Sequence, residues 1–86
     1  MEITTFLVMS DGELERMIAE VYGDFGYSFA AEIEGRSDTA YAYYGIKSSN
    51  NGVSNPANSH YVFHILEDLV YRGRLPAGNI LIEIGW

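Results

Sequence analysis

The chain contains no cysteine and only two prolines in 86 residues. Without cysteine there is no disulfide framework, no thiolate nucleophile and no cysteine-ligated zinc. Basic residues are also scarce, with five Lys and Arg against twelve Asp and Glu and a formal net charge of −7. Neutralising phosphates requires clustered Lys and Arg, so direct nucleic-acid binding is not expected. An anionic membrane surface would repel the chain for the same reason. No apolar run approaches the ~18 residues needed to span a bilayer. The N-terminus lacks the basic segment and apolar stretch of a signal peptide. A soluble, cytoplasmic protein is therefore expected.

The apolar fraction of 48% and charged fraction of 20% are those of a globular chain. At this length residues 1–86 form one domain, with no room for a second core. The charge is unevenly spread. Residues 1–38 hold nine acids (Glu2, Asp11, Glu13, Glu15, Glu20, Asp24, Glu32, Glu34 and Asp38) against Arg16 and Arg36. The remaining residues balance, with Glu67, Asp68 and Glu83 against Lys47, Arg72 and Arg74. A small domain with one acidic half carries a one-sided field, and such fields steer partners.

Periodicity supplies the elements. Residues 2–9 read as a strand, and the unbroken apolarity of Phe6 to Met9 predicts a central one. Ser10 to Glu13 fits a capping box opening a helix. Leu14, Met17, Ile18, Val21 and Tyr22 form its apolar stripe and Gly23 its terminator. Tyr27 to Glu34 alternates, with Tyr27, Phe29, Ala31 and Ile33 on one face. The turn 35–38 then leads to a return strand, Thr39 to Ile46. Pairing Ile33 with Ala40, Ala31 with Ala42 and Phe29 with Tyr44 keeps the apolar face coherent. Residues 47–58 have the composition of a mobile or partner-contacting loop. Asn55 and Pro56 begin a second helix with the stripe Val62, Ile65, Leu66, Leu69 and Val70, ended by Gly73. The last strand, Asn79 to Trp86, sets Ile80, Ile82, Ile84 and Trp86 on one face.

The expected order is thus βαββαβ. It implies a ferredoxin-like α+β two-layer sandwich, an antiparallel sheet with two helices on one face and strands 1 and 3 in the centre. The other sheet face would carry Glu32, Glu34, Tyr41, Tyr43, Leu81 and Glu83. Aromatics on such a face can stack RNA bases, but three carboxylates there would repel a phosphodiester.

No catalytic residue, cofactor site or metal site is assigned. A Gly-x-Ser-x-Gly elbow and a phosphate-cradling glycine loop are both missing. His60, His64 and Asp68 share one helical stripe at metal-compatible spacing, but no further strong ligand accompanies them. His64 could equally hydrogen-bond Glu67 or Asp68.

Small size, absent cysteine, one acidic half and a compact α+β fold together make the chain similar in type to phage-encoded inhibitors of bacterial defence, anti-CRISPR and anti-restriction proteins among them. No shared motif carries residues across. The resemblance implies a non-enzymatic inhibitor that blocks a basic nucleic-acid-binding complex, such as a CRISPR effector subunit or a nuclease, partly by imitating DNA charge. In a phage-encoded protein the site of action would be the host cytoplasm. The residues expected to meet the partner are Glu13, Glu15, Glu20, Glu32, Glu34 and Asp38, with Tyr41 and Tyr43 as apolar anchors. Two further readings stand beside it. The acids can simply keep a small domain soluble, or the chain can be a regulatory, ligand-sensing domain that dimerises by an edge strand or the open sheet face.

Overall fold

The structure, a computed structural model, describes residues 5–33, 38–56 and 61–85. Along them run β1 (Phe6–Ser10), α1 (Asp11–Tyr22), α2 (Phe29–Glu32), β2 (Ala40–Ile46), α3 (Val62–Tyr71) and β3 (Gly78–Glu83). The strands form one mixed sheet in the order β1-β3-β2, with β1 parallel and β2 antiparallel to β3. The α+β class is as expected. Among the described residues the sheet has three strands rather than four, and it is not wholly antiparallel.

Ser10 both ends β1 and opens α1. Its hydroxyl accepts the Glu13 N–H at 3.1 Å, while Asp11 and Glu13 lie at the positive end of the helix dipole. Leu14 and Ile18 are fully buried, and Met17, Val21 and Tyr22 pack at the margin of the core, as the stripe predicts. α3 ends in the two bonds of a Schellman motif. Arg74 N–H donates to the Leu69 carbonyl at 2.9 Å and Gly73 N–H to the Val70 carbonyl at 3.0 Å, with Gly73 at φ +78°. Its start differs from expectation. α3 begins at Val62 after Tyr61 rather than at Asn55 and Pro56.

The alternating segment 27–34 is not a strand where it is described. Ser28 instead caps a single helical turn, accepting the Ala31 N–H at 3.3 Å, and Phe29 and Ile33 are buried at a spacing of four. Local capping chemistry and helix-forming Ala30 and Ala31 outweigh the period-two pattern. The hairpin pairing of Ile33, Ala31 and Phe29 with β2 therefore does not form. β2 pairs with β3 instead, Tyr41 opposite Ile82 and Tyr43 opposite Ile80.

This pairing reverses the faces expected on β2. Tyr41 and Tyr43 point into the core, and Ala40, Ala42 and Tyr44 are exposed. The cause is a bulge. Two residues, Tyr44 and Gly45, lie between Tyr43 and Ile46 where only Asn79 lies between Ile80 and Gly78, and Gly45 within the bulge has φ +66°. The extra residue returns Ile46 to the core at 1% exposure. Ile46 and the tyrosines thus share a face despite opposite parity.

The C-terminal strand, not the N-terminal one, holds the centre. Ile80, Ile82 and Ile84 of that chain end meet Met9, Leu14, Ile18, Phe29, Tyr41, Ile65, Leu66 and Leu69 in a single core. Fully burying side chains of this size contributes roughly 1.5–3 kcal/mol each before entropy is counted. β1 lies at an edge, and its apolar run is not enclosed: Leu7 is 38% and Val8 51% exposed. The segment after β2 is fastened to α3. Ser49 N–H donates to the Glu67 carbonyl, Asn51 Nδ2 to Glu67 Oε1 and Arg72 Nη2 to the Val53 carbonyl, all within 3.2–3.3 Å.

Candidate functional site: an acidic, aromatic corner

α1 stops at Gly23, whose φ of +101° suits glycine alone and turns the chain away from the helix axis. The next residues run without regular structure to Ser28. Asp24 Oδ1 accepts the Gly26 N–H at 3.3 Å, which sets a tight local turn. Phe25 and Tyr27 emerge from it with their rings edge-to-face, centroids 6.2 Å apart. Phe25 is 38% exposed, and Tyr27 packs partly against the core. Glu15 reaches from α1 to this corner, where Oε2 accepts the Phe29 N–H at 3.0 Å and satisfies an orphan amide of α2.

Two depressions flank the ring pair. One, of about 330 Å³, is lined by Glu15, Arg16, Ala19, Asp24, Phe25 and Tyr27. The other, of about 300 Å³, is lined by Phe25, Tyr27, Ser28, Ala31 and Glu32. The rings form the wall between them. Carboxylates of Glu15, Asp24 and Glu32 surround the pair, with Arg16 the only cation among the described residues on either lining. The Tyr27 phenol registers this field. Burial raises its pKa most, and the negative charges of Glu32 and Glu15 and the neighbouring Tyr43 raise it further. A cation entering here would meet negative ring faces and carboxylates together, a combination suited to a guanidinium or ammonium group.

The residues expected to meet a partner fall into several environments. Glu13 is exposed on the first turn of α1, and Glu32 is exposed beside the second depression. Glu15 lines the corner but is half-buried and caps α2. Glu20 is exposed and forms an ion pair with Arg74 beyond α3. Asp38 is exposed ahead of β2, while Glu34 lies outside the described residues. Tyr41 and Tyr43 are not surface anchors. They pack edge-to-face on Phe29, with centroids 6.1 and 6.4 Å away, and Tyr41 is only 6% exposed. The aromatic rings that lie at the acidic surface are Phe25 and Tyr27. The period-two pattern of 27–34 masks Tyr27 in the sequence, whereas Phe25, between Gly23 and Gly26 and beside Asp24, carries the signal of an exposed turn.

The helix stripe considered for metal resolves differently. Asp68 is fully buried, with Oδ2 receiving the Tyr22 phenol and the Arg72 Nε at 2.6 Å. The Arg72 guanidinium also lies 5.1 Å over the Tyr22 ring. The His64 ring lies against Tyr61, tilted by 60° with centroids 5.2 Å apart, and His60 is outside the described residues. Among the described residues no cluster of three His, Asp or Glu could hold a metal ion, and no helix is long and apolar enough to cross a membrane.

No family model, curated protein or solved structure matches the chain.

Proposed function

We propose that the protein is a non-enzymatic binding protein whose acidic corner docks a basic surface on another protein. The observation that carries this reading is the Phe25 and Tyr27 ring pair, set between two depressions and surrounded by Glu15, Asp24 and Glu32. An exposed aromatic inside a ring of carboxylates supplies both an apolar anchor and the charge that selects cations. Glu13 on the outer face of α1 extends the same field, so that a basic partner is steered before it touches.

A protein that grips nucleic acid carries the complementary surface, a groove lined with Lys and Arg for phosphates. Occupying that groove would block its natural ligand. Inhibition of a nucleic-acid-binding protein, of the anti-CRISPR or anti-restriction type, is therefore the specific function proposed.

The test is affinity capture with wild-type protein and with the double variant Asp24→Lys, Glu32→Lys. The expected result is that wild type retains basic nucleic-acid-binding proteins, that salt or duplex DNA releases them, and that the variant does not retain them. Equal retention by both baits, or retention indifferent to salt, overturns the proposal.

A further inference from the structure

β1 leaves the outer edge of the sheet unpaired among the described residues. Val8 lies on the open sheet face and Leu7 on the core face, yet both are exposed, as fits an uncovered edge strand. The strand, Phe-Leu-Val-Met-Ser, has no charge, proline, glycine or bulge to blunt that edge. The opposite edge, β2, is interrupted by its bulge at Gly45. We propose that two copies of this chain join through β1, antiparallel about a two-fold axis at Val8, to make one continuous sheet of twice the width.

The register follows from self-complementarity. With the axis at Val8, each Val8 faces the other, Leu7 lies opposite Met9 of the second copy, and Phe6 lies opposite Ser10. Every pair is uncharged, and most are apolar on both faces. β1 itself carries no charge to oppose a second copy at this edge. Chains of net charge −7 repel one another, but the acids nearest the axis are Asp11, beyond the end of β1, and Glu83, opposite Ser10 on β3. At strand rise the two Ser10 positions would stand about 13 Å apart, more than one Debye length at physiological salt, and these acids lie farther out.

Face-to-face packing of the open sheet is the poorer arrangement. Pairing through that face, with Phe6, Val8, Ala42, Tyr44 and Leu81, would leave the outer backbone groups of β1 without the pairing that an open strand edge invites. Edge pairing adds backbone hydrogen bonds and brings the two open faces side by side. The inference rests on β1 alone and is independent of the acidic corner.

Sedimentation equilibrium from micromolar to millimolar protein tests it. Wild type is expected to reach twice the chain mass. Val8→Lys, at an exposed site, is expected to stay monomeric with an unchanged circular dichroism spectrum, because two lysines would meet at the axis. Ala40→Lys, exposed on the same sheet face but on the other edge strand, is expected to dimerise like wild type. Hydrogen exchange supplies a readout without substitution: outward-facing β1 amides should become protected as concentration rises. A wild-type monomer at millimolar concentration, a folded Val8→Lys dimer, or β1 exchange independent of concentration overturns the proposal.

Discussion

The phenol of Tyr22 donates to the carboxylate of Asp68, 46 residues further along the chain, and Arg72 closes on the same oxygen. This knot joins α1 to α3, and through Arg72 it also holds the Val53 carbonyl. Asp68 is wholly buried and its other oxygen has no hydrogen-bond partner among the described residues. Its charge is therefore balanced almost entirely by Arg72. Removing one partner of a buried pair costs about 3–5 kcal/mol. Arg72 is 39% exposed and can rehydrate, which lowers the expected loss for Asp68→Ala to about 2–4 kcal/mol. Tyr22→Phe, losing one charge-assisted hydrogen bond, should cost about 1.5–3 kcal/mol. Urea unfolding of the two variants checks both values.

Alkaline pH should weaken the fold. Burial first, and then the neighbouring Asp68, raises the Tyr22 phenol above its ordinary pKa of 10.0. Burial first, and then Glu32, raises Tyr27 in the same direction. Above about pH 10 the unfolded chain releases these protons while the native chain keeps them. The unfolded state then binds fewer protons, so stability falls as pH rises beyond 10 and is unaffected by these groups below it. The Tyr27 hydroxyl is buried with no hydrogen-bond partner among the described residues. Tyr27→Phe should accordingly add up to about 1 kcal/mol at neutral pH and flatten the alkaline loss. Thermal melts from pH 7 to 11 measure both effects.

Gly45 sets the face of β2. A Cβ there would meet nothing within 4 Å, so the cost of a side chain lies in the backbone at φ +66° alone. Gly45→Ala should lose about 1–2 kcal/mol, and Gly45→Asn should lose less because asparagine tolerates this conformation. Equal losses for the two would mean that the bulge tolerates a shifted backbone, and chemical denaturation distinguishes the cases.

The elements that could be read from the sequence are those whose local signals agree. Ser10, the stripe from Leu14 to Tyr22, and Gly23 all specify α1, and the Gly73 terminator and the Ile80, Ile82, Ile84 face are equally consistent. Where signals compete, tertiary context decides. Segment 27–33 has strand alternation and a serine cap at once, and the cap prevails because Glu15 supports it from α1. On β2 the buried Ile46 implies one parity and the tyrosines the other, and Gly45 was the residue that signalled a bulge between them. The acidic half was plain from composition. Its division into Glu15, which caps α2, Glu20, which pairs with Arg74, and carboxylates left to face outward depends on contacts between distant segments.

The central claim is that Phe25, Tyr27 and their surrounding carboxylates receive a basic side chain. Its most direct test is an amide-resolved NMR titration of wild-type protein with a short arginine-rich peptide, beside an equal titration with sodium chloride. Peptide-specific shifts are expected at Glu15, Arg16, Asp24, Phe25, Tyr27 and Glu32, abolished in Phe25→Ala and weakened by added salt. Shifts spread evenly over all acidic residues, or the same in Phe25→Ala as in wild type, would contradict it.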